Sequence, residues 1–254
     1  MKLNTNIFGE AGSLPPLLIV HGLFGSARNW GVIAKRLSDE RQVITVDMRN
    51  HAQSGWADSH SYFDLAADLD ETLEQIAGPV DLLGHSMGGK AAMVLALQKP
   101  ALVRRLVVAD IAPVAYSHTQ MGPIQAMRGV DLGAISSRQD AVHQMTGIED
   151  ALKPFLLQSL DMQSKTWRLN LDILAAEMDK IVGFPDVGGM FDAPTLFLSG
   201  AESDYVLPEH RALIQAYFPA AKFAKIPGAG HWLHAEKPRE FEAAVRVFTQ
   251  SDPG

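Results

Sequence analysis

Short runs of aliphatic and β-branched residues recur along the first half of the chain, separated by segments whose apolar positions follow a helical spacing. Leu17-Leu18-Ile19-Val20 reads as a buried strand that begins after Pro15-Pro16. Val43 to Met48 and Val80 to Leu83 read as the next two, and Arg105 to Ala109, Thr195 to Ser199 and Ala221 to Ile226 continue the series. Such near-continuous apolar runs suit strands covered on both faces. Between them, Ser61 with Asp64 three residues on resembles a capping box in which Asp replaces the usual Glu or Gln. Leu65, Leu69, Leu73 and Ile76 then fall on one helical face, and Gly78-Pro79 stops that helix. Lys90 to Gln98 reads as a second, apolar helix ended by Lys99-Pro100. Pro238 opens a C-terminal helix with Phe241, Ala244, Val245 and Phe248 on one side.

Strands alternating with helices predict an α/β fold, with a mostly parallel central sheet and helices on both faces. The rhythm breaks after Asp110. Residues 113–185 show no strong strand pattern and several helix-like pieces, Ser164 to Lys180 among them, before Ala193-Pro194-Thr195-Leu196-Phe197-Leu198 resumes the strand signal. The expected organisation is a core of residues 1–112 and 186–254, interrupted by a helical cap insertion of residues 113–185.

Composition narrows the function classes. The 254 residues carry a formal net charge of −7 and no basic run, so nothing electrostatic points to nucleic acid or an anionic membrane. With no cysteine, disulfides, thiolate nucleophiles and zinc–cysteine sites are excluded. The N-terminal stretch lacks an apolar leader core, and the apolar run Ala91 to Leu97 is far shorter than a membrane span. A soluble, cytoplasmic protein is the expectation.

Gly84-His85-Ser86-Met87-Gly88, followed by Gly89, stands between the strand Val80 to Leu83 and the helix from Lys90. On a strand-to-helix turn, the G-x-S-x-G spacing forces a serine hydroxyl above the strand ends, and side chains two residues either side would collide with the backbone. The same turn puts the Met87 amide at a helix N-terminus, where unpaired N–H groups attract negative charge. Ser86 is thus the candidate nucleophile. A serine hydroxyl needs a base to take its proton. His231, in Gly228-Ala229-Gly230-His231 just past the strand Ala221 to Ile226, is the candidate; His234 reads as a supporting residue. No carboxylate at useful spacing joins His231 and His234 to make a metal site. An oxyanion formed on attack needs preorganised donors, and the loop after Leu17 to Val20, His21-Gly22-Leu23-Phe24-Gly25, is placed to give one. The backbone N–H groups of Leu23 and Met87 are the candidate oxyanion hole, with His21 supporting the loop.

These residues together resemble the α/β-hydrolase fold superfamily and, within it, an esterase group of YbfF-type bacterial esterases and ABHD11-like hydrolases. The resemblance is carried by His21-Gly22-Leu23-Phe24-Gly25-Ser26, Asp47-Met48-Arg49-Asn50-His51, Gly84 to Lys90, Asp110-Ile111-Ala112-Pro113-Val114 and Gly228-Ala229-Gly230-His231-Trp232. It spans the core and is weakest in the insertion. It implies hydrolysis of short-chain, small-molecule esters, or thioesters, without metal or organic cofactor, under a helical cap. It also favours Asp110, at the end of Arg105 to Ala109, as the acid that orients the imidazole. Asp204 is the alternative, because many α/β hydrolases carry the acid after the following core strand; the place three residues past the glycine there is held by Ser203. Asp47 and Arg49, just beyond another strand, read as structural salt-bridge residues rather than catalytic ones. Met121, Met127, Met145, Phe155 and Trp167 are candidates for an apolar pocket or for the insertion's own core, which their spacing does not separate. Thioester, amide or carbon–carbon cleavage, perhydrolysis, and a ligand receptor with little turnover are the competing functions on the same constellation.

Overall fold

The computed structural model describes residues 1–250. In chain order its strands are β1 (Asn4–Phe8), β2 (Leu17–Val20), β3 (Val43–Asp47), β4 (Val80–His85), β5 (Val103–Ala109), β6 (Leu160–Asp161), β7 (Thr166–Trp167), β8 (Thr195–Gly200) and β9 (Ala221–Ile226). Seven of them form one sheet in the order β1-β3-β2-β4-β5-β8-β9. β1 runs antiparallel to β3, and the remaining neighbours are parallel. The helices are α1 (Gly31–Leu37), α2 (Tyr62–Leu73), α3 (Met87–Gln98), α4 (Met121–Arg128), α5 (Arg138–Gln144), α6 (Lys153–Leu156), α7 (Leu171–Ala176), α8 (Met178–Val182), α9 (Arg211–Tyr217), α10 (Leu233–Glu236) and α11 (Pro238–Gln250).

Strand side chains alternate between faces, and that alternation builds two cores. Leu18, Val20, Leu82, Leu106 and Val108 pack with Leu65 and Leu69 of α2 and Met93 and Leu97 of α3. Their neighbours Leu17, Ile19, Leu83 and Val107 pack on the other face with Ile33 and Leu37 of α1 and Phe241, Val245 and Phe248 of α11. Every residue of β2, β3 and β4 is buried, the reason these strands read as unbroken apolar runs. The capping box at α2 forms with Asp64: its amide donates to Ser61 Oγ (3.2 Å), and its carboxylate accepts from the Ser61 amide (3.1 Å).

Three expectations change. β1 is a half-exposed edge strand of mostly polar residues, so its apolar signal is faint. α3 starts at Met87, three residues before the apolar pattern begins, because Ser86 on the strand-to-helix turn is its N-cap. Ser164 to Lys180 is not one helix. The Asp161 carboxylate accepts from the amides of Gln163 (2.9 Å) and Ser164 (3.3 Å), and Lys165 takes φ +55°, which closes the β6–β7 hairpin. Such local side-chain turns compete with helix. Helix resumes only at α7, capped by the Asn170 side chain.

Candidate active site

The carboxyl ends of β4, β5, β8 and β9 are neighbours in the sheet, and each leads into a loop carrying one polar group of the site. Ser86 follows β4 with φ +52° and ψ −121°, backbone that a non-glycine residue holds only under strain of about 1–3 kcal/mol. Its amide donates to Ala109 O (3.0 Å), and its carbonyl accepts from the Lys90 amide (3.1 Å). These bonds fix the turn between strand and helix. The flanking glycines are required by contact: a Cβ on Gly84 would meet Gly88 backbone atoms, and one on Gly88 would meet the carbonyl oxygens of Val20 and His21, all under 3.0 Å. Gly88→Ala is therefore expected to cost roughly 3 kcal/mol or more of stability, since rigid backbone cannot yield. Gly31→Ala, where nothing lies within 4 Å, should be neutral or slightly stabilising. Urea unfolding of the two variants separates these outcomes.

The His231 ring reaches back over Ser86, with Nε2 3.1 Å from Ser86 Oγ and Nδ1 2.7 Å from Asp110 Oδ2. Asp110 is fully buried at the end of β5 with φ +52°. Its Oδ1 accepts from the Gly200 amide (3.0 Å), and its Oδ2 accepts from Ser203 Oγ (2.5 Å). Asp204 is exposed to solvent and, among the described residues, makes no hydrogen bond to His231. The structure thus brings together Ser86, His231 and Asp110 but not Asp204.

The flanking histidines are scaffolding. His85 Nε2 donates to the His231 carbonyl (2.8 Å), and its ring stands edge-on to His234, which stacks on Trp30 with centroids 4.2 Å apart. His21 donates from Nδ1 to Gly22 O (2.8 Å) and accepts at Nε2 from the Met48 amide (2.9 Å). Burial pulls its pKa down to about 4, which keeps it neutral. His51 Nε2 accepts from the Phe24 amide (3.2 Å), and Asp47 accepts from the Ala27 amide (2.7 Å). Together they pin the loop after β2. Of the two expected salt-bridge residues, Arg49 pairs with Asp68, from Nε to Oδ2 at 2.6 Å and Nη2 to Oδ1 at 2.8 Å. Asp47 spends its oxygens on backbone amides and Asn4 instead. Leu23, on this pinned loop, lines the cavity, and its amide has no backbone acceptor among the described residues. The Met87 amide opens α3 and has no carbonyl one turn back within the helix.

Comparison with known proteins fits this geometry. The Alpha/beta hydrolase family matches residues 17–244. The chain belongs to the alpha/beta hydrolase family. It is 41% identical over 261 residues to the sn-1-specific diacylglycerol lipase ABHD11 of Mus musculus, a match covering 98% of this chain and 85% of that one. It is 39% identical over 237 residues to Esterase YbfF of Escherichia coli strain K12, covering 92% of each. A solved marine microorganism esterase superposes with a TM-score of 0.92 at 37% identity, covering 98% of this chain and 99% of the other.

In this α/β hydrolase a cavity of about 240 Å³ opens above Ser86. Apolar atoms dominate its wall: Leu23, Met87 and Ile111 near Ser86, Leu152 and Phe155 from the segment between β5 and β8, and Trp232 beside His231. Of the five apolar candidates in residues 113–185, only Phe155 lines it. Met127, Met145 and Trp167 are buried in the hydrophobic core instead, in one cluster with residues of the central sheet, and the Trp167 indole donates to Met127 O (3.0 Å). Tyr205 was not anticipated. Its ring stacks on His231 with centroids 4.0 Å apart, and its hydroxyl lies 3.1 Å from His118 Nε2. Only the packing of the β8 loop against the β9 loop reveals it. Ser203 was legible as the residue standing where an acid is common; its bond to Asp110 was not.

Proposed function

We propose that this α/β hydrolase is a serine carboxylesterase in which Ser86 attacks the ester carbonyl. His231 takes the Ser86 proton at Nε2, Asp110 holds the imidazole through Nδ1, and the Leu23 and Met87 amides receive the oxyanion. The observation that carries this reading is the continuous relay from Asp110 to His231 (2.7 Å) to Ser86 (3.1 Å) at the sheet's carboxyl edge. When the tetrahedral intermediate collapses, His231 returns the proton to the leaving alcohol and the acyl group stays on Ser86 Oγ. Water, deprotonated by the same imidazole, then attacks and releases the acid. Residues 113–185 act as a cap over the core of 1–112 and 186–254, and their Leu152 and Phe155 add apolar wall for a small-molecule acyl ester. The names of its relatives, an esterase and a diacylglycerol lipase, agree with ester hydrolysis. The cysteine-free, anionic composition suits action in the cytoplasm.

A fluorophosphonate probe, followed by mass mapping of the adduct, tests the nucleophile. The expected adduct is on Ser86, absent in Ser86→Ala; a folded wild type that stays unlabelled there would sink the proposal. Turnover of p-nitrophenyl acetate, butyrate and octanoate against acyl-CoA tests the substrate class, and a clear preference for acyl-CoA would overturn the simple-ester reading.

A further inference from the structure

Lys90 lies on α3, one turn past Ser86, and is 1% exposed, an environment lysines enter only with partners. Its three ammonium N–H groups go to three backbone carbonyls rather than to a carboxylate: Val114 O (2.8 Å), Val182 O (2.9 Å) and Gly183 O (2.5 Å). Val114 lies at the start of the segment 113–185, and Val182 and Gly183 lie near its end. One side chain on the nucleophile helix therefore ties down both ends of the cap. Neighbouring bonds close the same junction. The Tyr116 amide donates to Val182 O (3.0 Å), and the Tyr62 hydroxyl donates to Ile181 O (2.5 Å). The ammonium also sits 4.7 Å from the Tyr116 ring centroid. Lys90, Tyr62, Tyr116, Ile181 and Val182 all line the cavity above Ser86.

Val182 closes α8, Gly183 follows it and Val114 lies in a loop, so none of the three carbonyls has a strand partner; Lys90 shares Val182 O with the Tyr116 amide and is the donor that an apolar side chain would remove from Val114 O and Gly183 O. Burial without a carboxylate pulls the Lys90 pKa down to about 7, the mark of an ammonium held by dipoles alone. We infer that Lys90 is a positioning residue for ester hydrolysis, which clasps both ends of the cap to the nucleophile helix and thereby fixes the wall that selects acyl chain length. The inference rests on the esterase reading above.

Lys90→Met keeps the length and apolar stem but removes every donor. In folded protein that still labels at Ser86, the octanoate-to-acetate ratio of kcat/KM should shift by about tenfold or more, carried by the octanoate KM. Amide hydrogen exchange should quicken at Tyr116, whose N–H crosses the junction, and stay unchanged at Leu83 and Val107 in the central strands. Lys90→Cys, the sole cysteine in the chain, aminoethylated under denaturing conditions and refolded, restores a near-isosteric ammonium and should restore both readouts. An unaltered chain-length ratio, or exchange that quickens equally in the central strands, would overturn the proposal. If Lys90→Met does not fold, Lys90→Gln, which keeps two donors, takes its place; failure of both would make Lys90 a general stability element and equally overturn it. Loss of Ser86 labelling in wild type is a separate result and sinks the esterase reading itself.

Discussion

Asp110→Asn is expected to lower kcat on p-nitrophenyl butyrate between about 10²- and 10⁴-fold, whereas Asp204→Asn leaves it within about threefold. The large effect comes from the tautomer. Asp110 Oδ2 accepts from His231 Nδ1 at 2.7 Å, so the imidazole presents a bare Nε2 to Ser86 Oγ. An amide at position 110 keeps Oδ1 for the Gly200 amide, its partner at 3.0 Å, and turns N–H donors toward His231. The imidazole then places its proton on Nε2, facing Ser86, where it cannot accept one. The geometry of the site survives and its chemistry does not. Asp204, exposed and without a bond to His231 among the described residues, has no such lever. Circular dichroism of both variants excludes unfolding, and the reverse ranking of kcat would show that the acid is Asp204.

How far the site was legible in the sequence follows from what local pattern encodes. Ser86 and His231 sit in glycine-rich loops directly after strands, and crowding makes those glycines obligatory; Gly88, pressed between the Val20 and His21 carbonyls, is the plainest case. The central strands were legible because both of their faces are buried. The edge strand β1 was not, because most of its side chains are partly or fully exposed. The β6–β7 hairpin was missed because the turn bonds of Asp161 outweigh the helical periodicity around them. The acid stayed open between Asp110 and Asp204, since both follow core strands. The sheet order β5-β8-β9 puts the ends of three distant segments side by side, and what separates the two acids is local: the Asp110 carboxylate is buried against His231 Nδ1 at 2.7 Å, whereas Asp204 is exposed. That order also brings Ser203 to Asp110 and stacks Tyr205 on His231. Periodicity predicts that strands exist; it does not say which ends meet, and Ser203, Tyr205 and Lys90 owe their roles to that meeting.

The same crowding of imidazoles around the site predicts steep acid unfolding, with stability falling from about pH 6.5 downward and cooperative loss of structure near about pH 5. Burial depresses the pKa of His21 from 6.5 to about 4 and those of His51 and His234 to about 3. It also holds His60 and His85 well below 6.5, with neighbouring histidines adding to the shift. Below pH 6.5 the unfolded chain takes up these protons and the folded chain refuses them, so stability drops as pH falls until the folded groups titrate in turn. Each excluded proton is worth about 1.4 kcal/mol per pH unit, or roughly 2 kcal/mol by pH 5. Summed over these histidines, that rivals the whole stability of an ordinary domain, about 5–15 kcal/mol. Lys90, with its pKa lowered to about 7, is protonated in folded and unfolded chains alike below that value and leaves the acid limb untouched. Urea unfolding at pH 7.5, 6 and 5 measures the slope directly. His234→Phe removes one such group while keeping a ring to stack on Trp30, so its slope should be shallower by up to about 1.4 kcal/mol per pH unit. A flat profile between pH 7.5 and 5 would mean that these imidazoles take up their protons in the folded state without penalty.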